Sequence, residues 1–332
     1  MEYVSISVFP KKLSRIALGT WAIGGELWGG TEEKDSIDTI LAAIDKGINV
    51  IDTAPAYGTG KAEEFLGKAL QISKKRHEVF ISTKCGIQIT KQKEFVRNLT
   101  KEFIREDLHN SLKRLGTDYL DIYFAHWPDP LTPIEETAQE LHRLFKEGKI
   151  RAIGLSNYSL EQIEEFRKFA PCHFIQPPYN LFERDIEKDI VPYCKKHIIE
   201  LMTYSALCRG FLSGKVTRER TFAQGDLRTF LDPKFQSPSY EEYLTATEQL
   251  KKFAEEKFHR SLLELAIRWI LDKNIEIAIW GARRPSQLSP LDKVFDWHLD
   301  QSSITRIDEI LKNTIKHPQG LLPGPPSRKK AA

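Results

Sequence analysis

Cysteine is scarce in this chain: Cys85, Cys172, Cys194 and Cys208 are the only four in 332 residues. None stands in a Cys-x-x-Cys pair, and no Cys/His group has zinc spacing. A disulfide framework and a metal site are therefore not expected. No apolar run approaches membrane-spanning length, and the opening MEYVSISVFPKK has no apolar leader segment. The expected setting is a reducing cytoplasm with no membrane partner. Charge of one sign is also missing. Lys and Arg number 49 against 46 Asp and Glu, mixed along the chain with a net charge of +3, so no nucleic-acid surface is expected. Nor does the glycine-rich stretch GTWAIGGELWGG (19–30) place a G-x-G-x-x-G directly between a first strand and its helix. That argues against an open dinucleotide-binding sheet.

What is present is alternation. Eight β-rich runs occur at 15–20, 48–52, 78–84, 119–126, 150–156, 173–178, 199–205 and 275–280. Between them lie amphipathic stretches such as 34–47, where Ile37, Ile40, Leu41 and Ile44 fall at helical spacing before Gly47. The stretches 104–116, 134–148, 159–169 and 303–313 repeat the pattern. Eight strand–helix units predict a closed (β/α)8 barrel forming one domain over 1–332. A Gly-, Arg- and Pro-rich segment, 208–238, is predicted to be a binding loop connecting the seventh strand to its helix. The tail from about 317 is predicted to be irregular, with its last few residues disordered. No strongly apolar exposed stripe is evident, so a monomer is expected.

In such a barrel the chemistry sits where strands end. The second run ends on Asp52 with Tyr57 in the loop beyond it; the third ends on Lys84 and the fourth on His126. A free phenol titrates at about 10 and is a poor proton donor at neutral pH. A neighbouring ammonium would lower that value, so Lys84 is expected to bring Tyr57 down into a range useful for acid–base work. Asp52 would keep Lys84 charged, and His126 would donate a hydrogen bond to a carbonyl oxygen or join the proton relay. A lone strand-end acid–lysine pair is often structural; four such groups on adjacent strand ends are not readily coincidental.

The motifs DTAPAYGTGKAEEFLG, STK, FAHWPDP and GLSNYS resemble the aldo-keto reductase superfamily, nearest to the bacterial general-stress and inositol-operon branch. The resemblance runs from LGTWAIGG (18–25) to WGARRPSQL (280–288). It implies a TIM barrel that reduces small carbonyl compounds with NADPH, with Tyr57 as general acid assisted by Lys84, Asp52 and His126. It also implies the cofactor contacts. Thr20, Trp21 and Asp52 would flank the nicotinamide, with Ser156, Asn157 and Gln176 at its carboxamide and Tyr204 stacked on its ring. Ser205, Ala206, Leu207, Cys208 and Arg209 would follow the pyrophosphate, with Lys215 and Arg228 closing over it. Gly281, Ala282, Arg283 and Gln287 would meet the adenosine end. Pro285 suits a helix start, whose amides together with Arg283 and Arg284 favour a 2′-phosphate. Pro290 and Leu291 replace the Glu and Asn by which relatives grip the adenine. The run 210–215 is one residue short of a P-loop and lacks the Ser/Thr after Lys215, which excludes an NTPase.

Trp28 and Trp127 are candidates for the substrate pocket. Cys208, in the cofactor loop, is a candidate for oxidation. Two other readings use the same residues. Lys84 could form a Schiff base in an aldolase, although that leaves the arginine pair without a role. Alternatively, the barrel could bind NADP(H) as a regulatory protein with slow or no turnover.

Overall fold

A computed structural model describes residues 1–328. Eight parallel strands close a barrel in chain order: β1 (Ile16–Gly19), β2 (Val50–Asp52), β3 (Phe80–Cys85), β4 (Ile122–Ala125), β5 (Ile153–Ser156), β6 (Phe174–Gln176), β7 (Glu200–Thr203) and β8 (Ile277–Gly281). Each lies within, or one residue beyond, one of the eight runs expected from the sequence. The helices between them are α1 (Glu33–Asp45), α2 (Lys61–Ser73), α3 (Lys101–Leu115), α4 (Ile134–Lys146), α5 (Leu160–Arg167) and α6 (Ile190–His197), then α7 (Ser239–Phe258) and α8 (Leu262–Asp272), with α9 (Gln301–Thr314) after β8. No described helix is long and apolar enough to cross a membrane.

The long loop after β7 does not run into a single helix, as the sequence reading had it. It enters α7, and α8 follows before β8. The break is local chemistry. His259 takes a left-handed conformation (φ 55°) and ends α7. Ser261 and Glu264 then form a reciprocal capping box that starts α8. α8 is buried almost all round, whereas α7 packs outside it, against α8 and α9.

Strand side chains alternate between the barrel interior and the helix layer, with a period of two. Ala17, Val50, Phe80, Ile122, Phe124, Phe174, Met202 and Ile277 form the interior cluster. Their neighbours Ile16, Ile51, Ile81, Tyr123, Ile175, Leu201 and Ala278 pack outward against helices. An antiparallel hairpin, Tyr3–Val4 with Leu13–Ser14, supplies a plug. Its loop inserts Ile6 and Phe9 into the interior cluster, with the Phe9 ring 4.9 Å from Phe80 and 6.2 Å from Phe174. The floor is thereby closed.

In register with Phe174, interior packing requires Gly154. A Cβ there would lie 2.3 Å from the Phe124 ring, which is itself fully buried. Gly154→Ala should therefore destabilise the protein by about 1–3 kcal/mol through overpacking. The check is a lowered urea midpoint with an unchanged slope.

Candidate active site

The inward parity of each strand continues into the mouth of the barrel. Asp52 follows Val50, Lys84 follows Phe80 and Ser82, and Gln176 follows Phe174. By the same count His126, Ser156 and Tyr204 face inward at or just beyond their strand ends. Thr20 has the opposite parity and does not line the cleft; its Oγ1 donates to the Asp52 carbonyl at 3.0 Å.

Asp52 is the hub. Its Oδ2 accepts from Lys84 Nζ at 2.7 Å, and its Oδ1 accepts from Ser82 Oγ at 2.9 Å and Gln176 Nε2 at 2.8 Å. β2 and β6 are diametrically opposite, so the Asp52–Gln176 bond spans the mouth. Lys84 makes a second bond to the Thr53 carbonyl at 2.9 Å and is 1% exposed. It lies beneath the cleft rather than in its wall, so it is poorly placed to attack a carbonyl carbon as an aldolase lysine would. Burial pulls its ammonium below the usual range, while Asp52 opposes that shift.

Tyr57 is carried over this pair by a tight turn in which its N–H donates to the Ala54 carbonyl at 3.0 Å. Gly58 follows with φ 61°, and a Cβ there would lie 2.2 Å from the Gly24 carbonyl oxygen. Only glycine lets the tyrosine turn rest on the β1 loop. Lys84 Nζ stands 5.0 Å from the Tyr57 ring centre, His126 is edge-on at 5.9 Å, and Trp21 lies at 6.3 Å. The expected lowering of the phenol does not occur in this structure. Desolvation, with Asp52 adding to it, pushes Tyr57 well above its ordinary value. Lys84 directs its ammonium at Asp52 and Thr53. His126 is held neutral, first by burial and then by the Lys84 charge.

The candidate cofactor residues divide into two groups. Trp21, Ser156, Asn157, Gln176 and Tyr204 line a cleft of about 1560 Å³. Several already bond one another: Tyr204 Oη donates to Asn157 Oδ1 at 2.8 Å, and Asn157 Nδ2 donates to the His126 carbonyl at 2.9 Å. Asn157 has φ 64°, a conformation asparagine tolerates. Further along the cleft stand Ser205, Ala206 and Leu207, then Lys215 and Arg228, and finally Gly281, Ala282, Arg283 and Gln287. Cys208 is fully buried and absent from the wall, and burial pushes its thiol up. Burial and that shift count against the oxidation reading, because the reactive form is an accessible thiolate.

Arg209 borders the cleft, but its guanidinium is engaged by Glu183 and Asp232. Pro285 does open a helical turn where expected, a four-residue 3-10 turn, Pro285–Leu288. The Arg283 and Arg284 amides already donate to Gln287 Oε1, at 2.7 and 3.1 Å. Arg284 pairs with Asp35 at 3.3 Å. Lys215 and Arg283 have no carboxylate partner among the described residues. Arg283 instead donates to the carbonyls of Trp28, at 2.8 Å, and Gly30. Burial, then the neighbouring Arg228 and Arg284, lower the pKa of its guanidinium, while Asp226 opposes the shift. That surplus of positive charge fits an anionic ligand.

Two wall segments escaped the sequence reading. One is an antiparallel hairpin, Ile87–Ile89 with Phe95–Arg97, which brings Gln88, Thr90, Gln92 and Glu94 to the cleft. The other is the tail, residues 321–328. Arg97 holds it through the Pro325 carbonyl at 2.5 Å and, by its own N–H, the Pro326 carbonyl at 2.9 Å. Arg97 also lies 5.4 Å from the Trp127 ring, and Arg328 reaches Thr132 Oγ1 at 3.0 Å. Gly324 touches Trp127 so closely that a Cβ would lie 2.6 Å away. A lone glycine between prolines was the available signal. The tail's expected irregularity holds through Arg328, and the residues expected to be disordered lie beyond those described. Trp127 and Trp28 both line the cleft, with Trp28 edge-on to Trp21 at 5.2 Å.

Residues 15–312 match the aldo/keto reductase family. The chain is 52% identical to the aldo-keto reductase YhdN of Bacillus subtilis over 321 residues, covering 96% of each protein. It is 35% identical to the NADH-specific methylglyoxal reductase of Escherichia coli, over 93% of this chain and 98% of that one. Among solved structures, the glycerol dehydrogenase of Gluconobacter oxydans superposes with a TM-score of 0.87 at 45% identity, covering 96% of this chain and 97% of that one.

Behind β3 lies a buried acid that the site does not use. Asp107 on α3 accepts the Gly86 N–H at 3.1 Å, and burial followed by the nearby Glu63 raises its carboxyl from 3.8 to about 8. An acid raised in the fold keeps a proton that the unfolded chain has lost, so its contribution to stability is lost as pH climbs from about 4 to about 8. Asp107→Asn should remove that slope, and the variant should gain on the wild type by up to roughly 1.4 kcal/mol per pH unit in that window. Urea midpoints across the range provide the check.

Proposed function

The chain belongs to the aldo/keto reductase family, and we propose that it reduces aldehydes and ketones to alcohols with NADPH, Tyr57 delivering the proton. The observation that carries this reading is the placement of the Tyr57 phenol at the rim, between the buried Lys84–Asp52 pair and a neutral His126. A nicotinamide bound in the cleft supplies the hydride. The chain's own residues do the rest. A phenol held protonated by desolvation is a ready acid for an oxygen that is gaining charge. As the proton leaves, the Lys84 ammonium stabilises the phenolate, and Asp52 keeps that ammonium in place. His126, neutral, donates an N–H to the carbonyl oxygen. Trp21, Trp28 and Trp127 confine the substrate and exclude water.

Trp21 and Tyr204 would hold the nicotinamide end, with Gln176 at its carboxamide. Lys215 and Arg283 would meet the phosphates. The preference for NADPH rests on Arg283, which forms no ion pair of its own among the described residues and feels Asp226 only at longer range. The E. coli relative is named NADH-specific, so family membership leaves this choice to local residues. Relatives named for methylglyoxal and glycerol put three-carbon carbonyls first among substrates to try.

Tyr57→Phe should lower kcat by about 10²- to 10⁴-fold while leaving NADPH affinity within about twofold. Cofactor oxidation would be followed with methylglyoxal and with a nitro- or pyridine-carbaldehyde. Tight NADPH binding with no wild-type turnover on such a panel would instead support the regulatory reading. Arg283→Met should weaken NADPH by about 10- to 100-fold and leave NADH nearly unchanged, as expected for one charge-assisted phosphate contact. Equal losses for the two cofactors would count against the 2′-phosphate assignment.

A further inference from the structure

A second cluster of buried charge lies outside the ring of strand ends, and the chemistry above does not use it. Glu183, Arg209, Asp232 and Lys234 are each less than a tenth exposed. Arg209 donates to Glu183 Oε1 at 2.5 Å and to Asp232, and Lys234 Nζ meets Glu183 Oε1 at 2.9 Å. Asn180 Nδ2 donates to Glu183 Oε2 at 2.7 Å, and Asp232 Oδ1 accepts the Lys234 N–H at 3.1 Å. Two cations face two anions, and the cluster is neutral overall. Desolvating four charges is unfavourable, and apolar side chains of similar size often hold such a junction at least as well. What a charged cluster offers is direction, because each hydrogen bond fixes a particular atom.

The atoms it fixes belong to four segments distant in sequence. Asn180 and Glu183 follow β6. Ser205 and Arg209 begin the long loop after β7, and Arg209 Nη1 donates to Ser205 Oγ at 3.0 Å. Asp232 and Lys234 end that loop. The fourth segment is the tail: Lys234 Nζ also donates to the Gly320 carbonyl at 2.9 Å. Ser205 and Arg209 line the cleft on the loop side, and the residues directly after Gly320 wall it on the other. Lysine suits this junction because one ammonium has three donors and can hold a carboxylate and a carbonyl together.

We propose that Lys234 is a positioning residue of the reductase site, joining the loop over the cofactor groove to the tail that walls the substrate side, so that the two covers are held as one unit. This rests on the functional reading above for what the two covers enclose. The far end of the tail is held separately by Arg97 and Arg328. Loss of the joint therefore loosens the wall without releasing it.

The test uses the full chain and Lys234→Met, which keeps the length of the side chain and removes its donors. Amide exchange of the segment 318–328 is measured by mass spectrometry with and without NADP+, beside steady-state kinetics. In the wild type, NADP+ should slow exchange in that segment. In the variant, exchange should be faster and no longer respond to NADP+. KM for the carbonyl substrate should rise about tenfold, with kcat and NADP+ affinity within about twofold, the pattern of lost substrate positioning. If Lys234→Met does not fold, Glu183→Gln combined with Lys234→Met removes one charge of each sign and is measured in its place. Tail exchange that still responds to NADP+ in a folded variant overturns the proposal. So does a loss spread evenly over kcat, KM and cofactor affinity. A wild type without turnover would sink the reductase reading alone, since the exchange measurements still decide the joint.

Discussion

The ion pair between Asp52 and Lys84 is the constraint on which the rest of the site depends. Both groups are almost fully enclosed, and removing each from water costs several kcal/mol. The pair persists because neither partner is left short of hydrogen bonds. Asp52 also accepts from Ser82 and Gln176, and Lys84 also donates to Thr53. Those partners sit on strands on both sides of the mouth, so satisfying one carboxylate fixes the spacing of the ring. Tyr57 then needs only a turn of the right shape to be held above a fixed positive charge.

Much of this was legible in the sequence because a parallel barrel strand has a strict period. Once Val50 and Phe80 are taken as interior, Asp52 and Lys84 must also point inward, and His126 follows from Phe124. The same count would have removed Thr20, one residue out of phase with Ala17. The electrostatic sign at Tyr57 was not legible. It depends on whether desolvation or the lysine dominates, and that turns on where the ammonium points. The wall segments were hidden for another reason. The hairpin at 87–97 and the tail at 321–328 come from stretches without barrel periodicity, and the tail is held to the hairpin by Arg97, a contact between residues more than two hundred positions apart.

The cations show why charge counted along a sequence overstates a binding site. Arg209, Arg228 and Arg284 each have a carboxylate of their own in Glu183 and Asp232, Asp226, and Asp35 respectively. Only the fold distinguishes these from Lys215 and Arg283. Arg283 is held by carbonyls alone, which position its guanidinium without cancelling its charge.

The polar hairpin has a consequence for engineering. Gln92 and Glu94 are exposed at the cleft edge, while Asn98 and Gly86 tie the base of the hairpin to α3 and its neighbours through Thr100 and Asp107. Gln88 belongs to that base, because its Oε1 accepts from Asn98 Nδ2 at 3.0 Å, whereas Gln92 and Glu94 at the tip do not. A library randomised over Gln92 and Glu94, with Thr90 beside them, would explore new pocket shapes while leaving the hairpin's base, the plugged floor and the packed interior untouched. In this protein, diversity can be introduced at the rim with little risk to the fold.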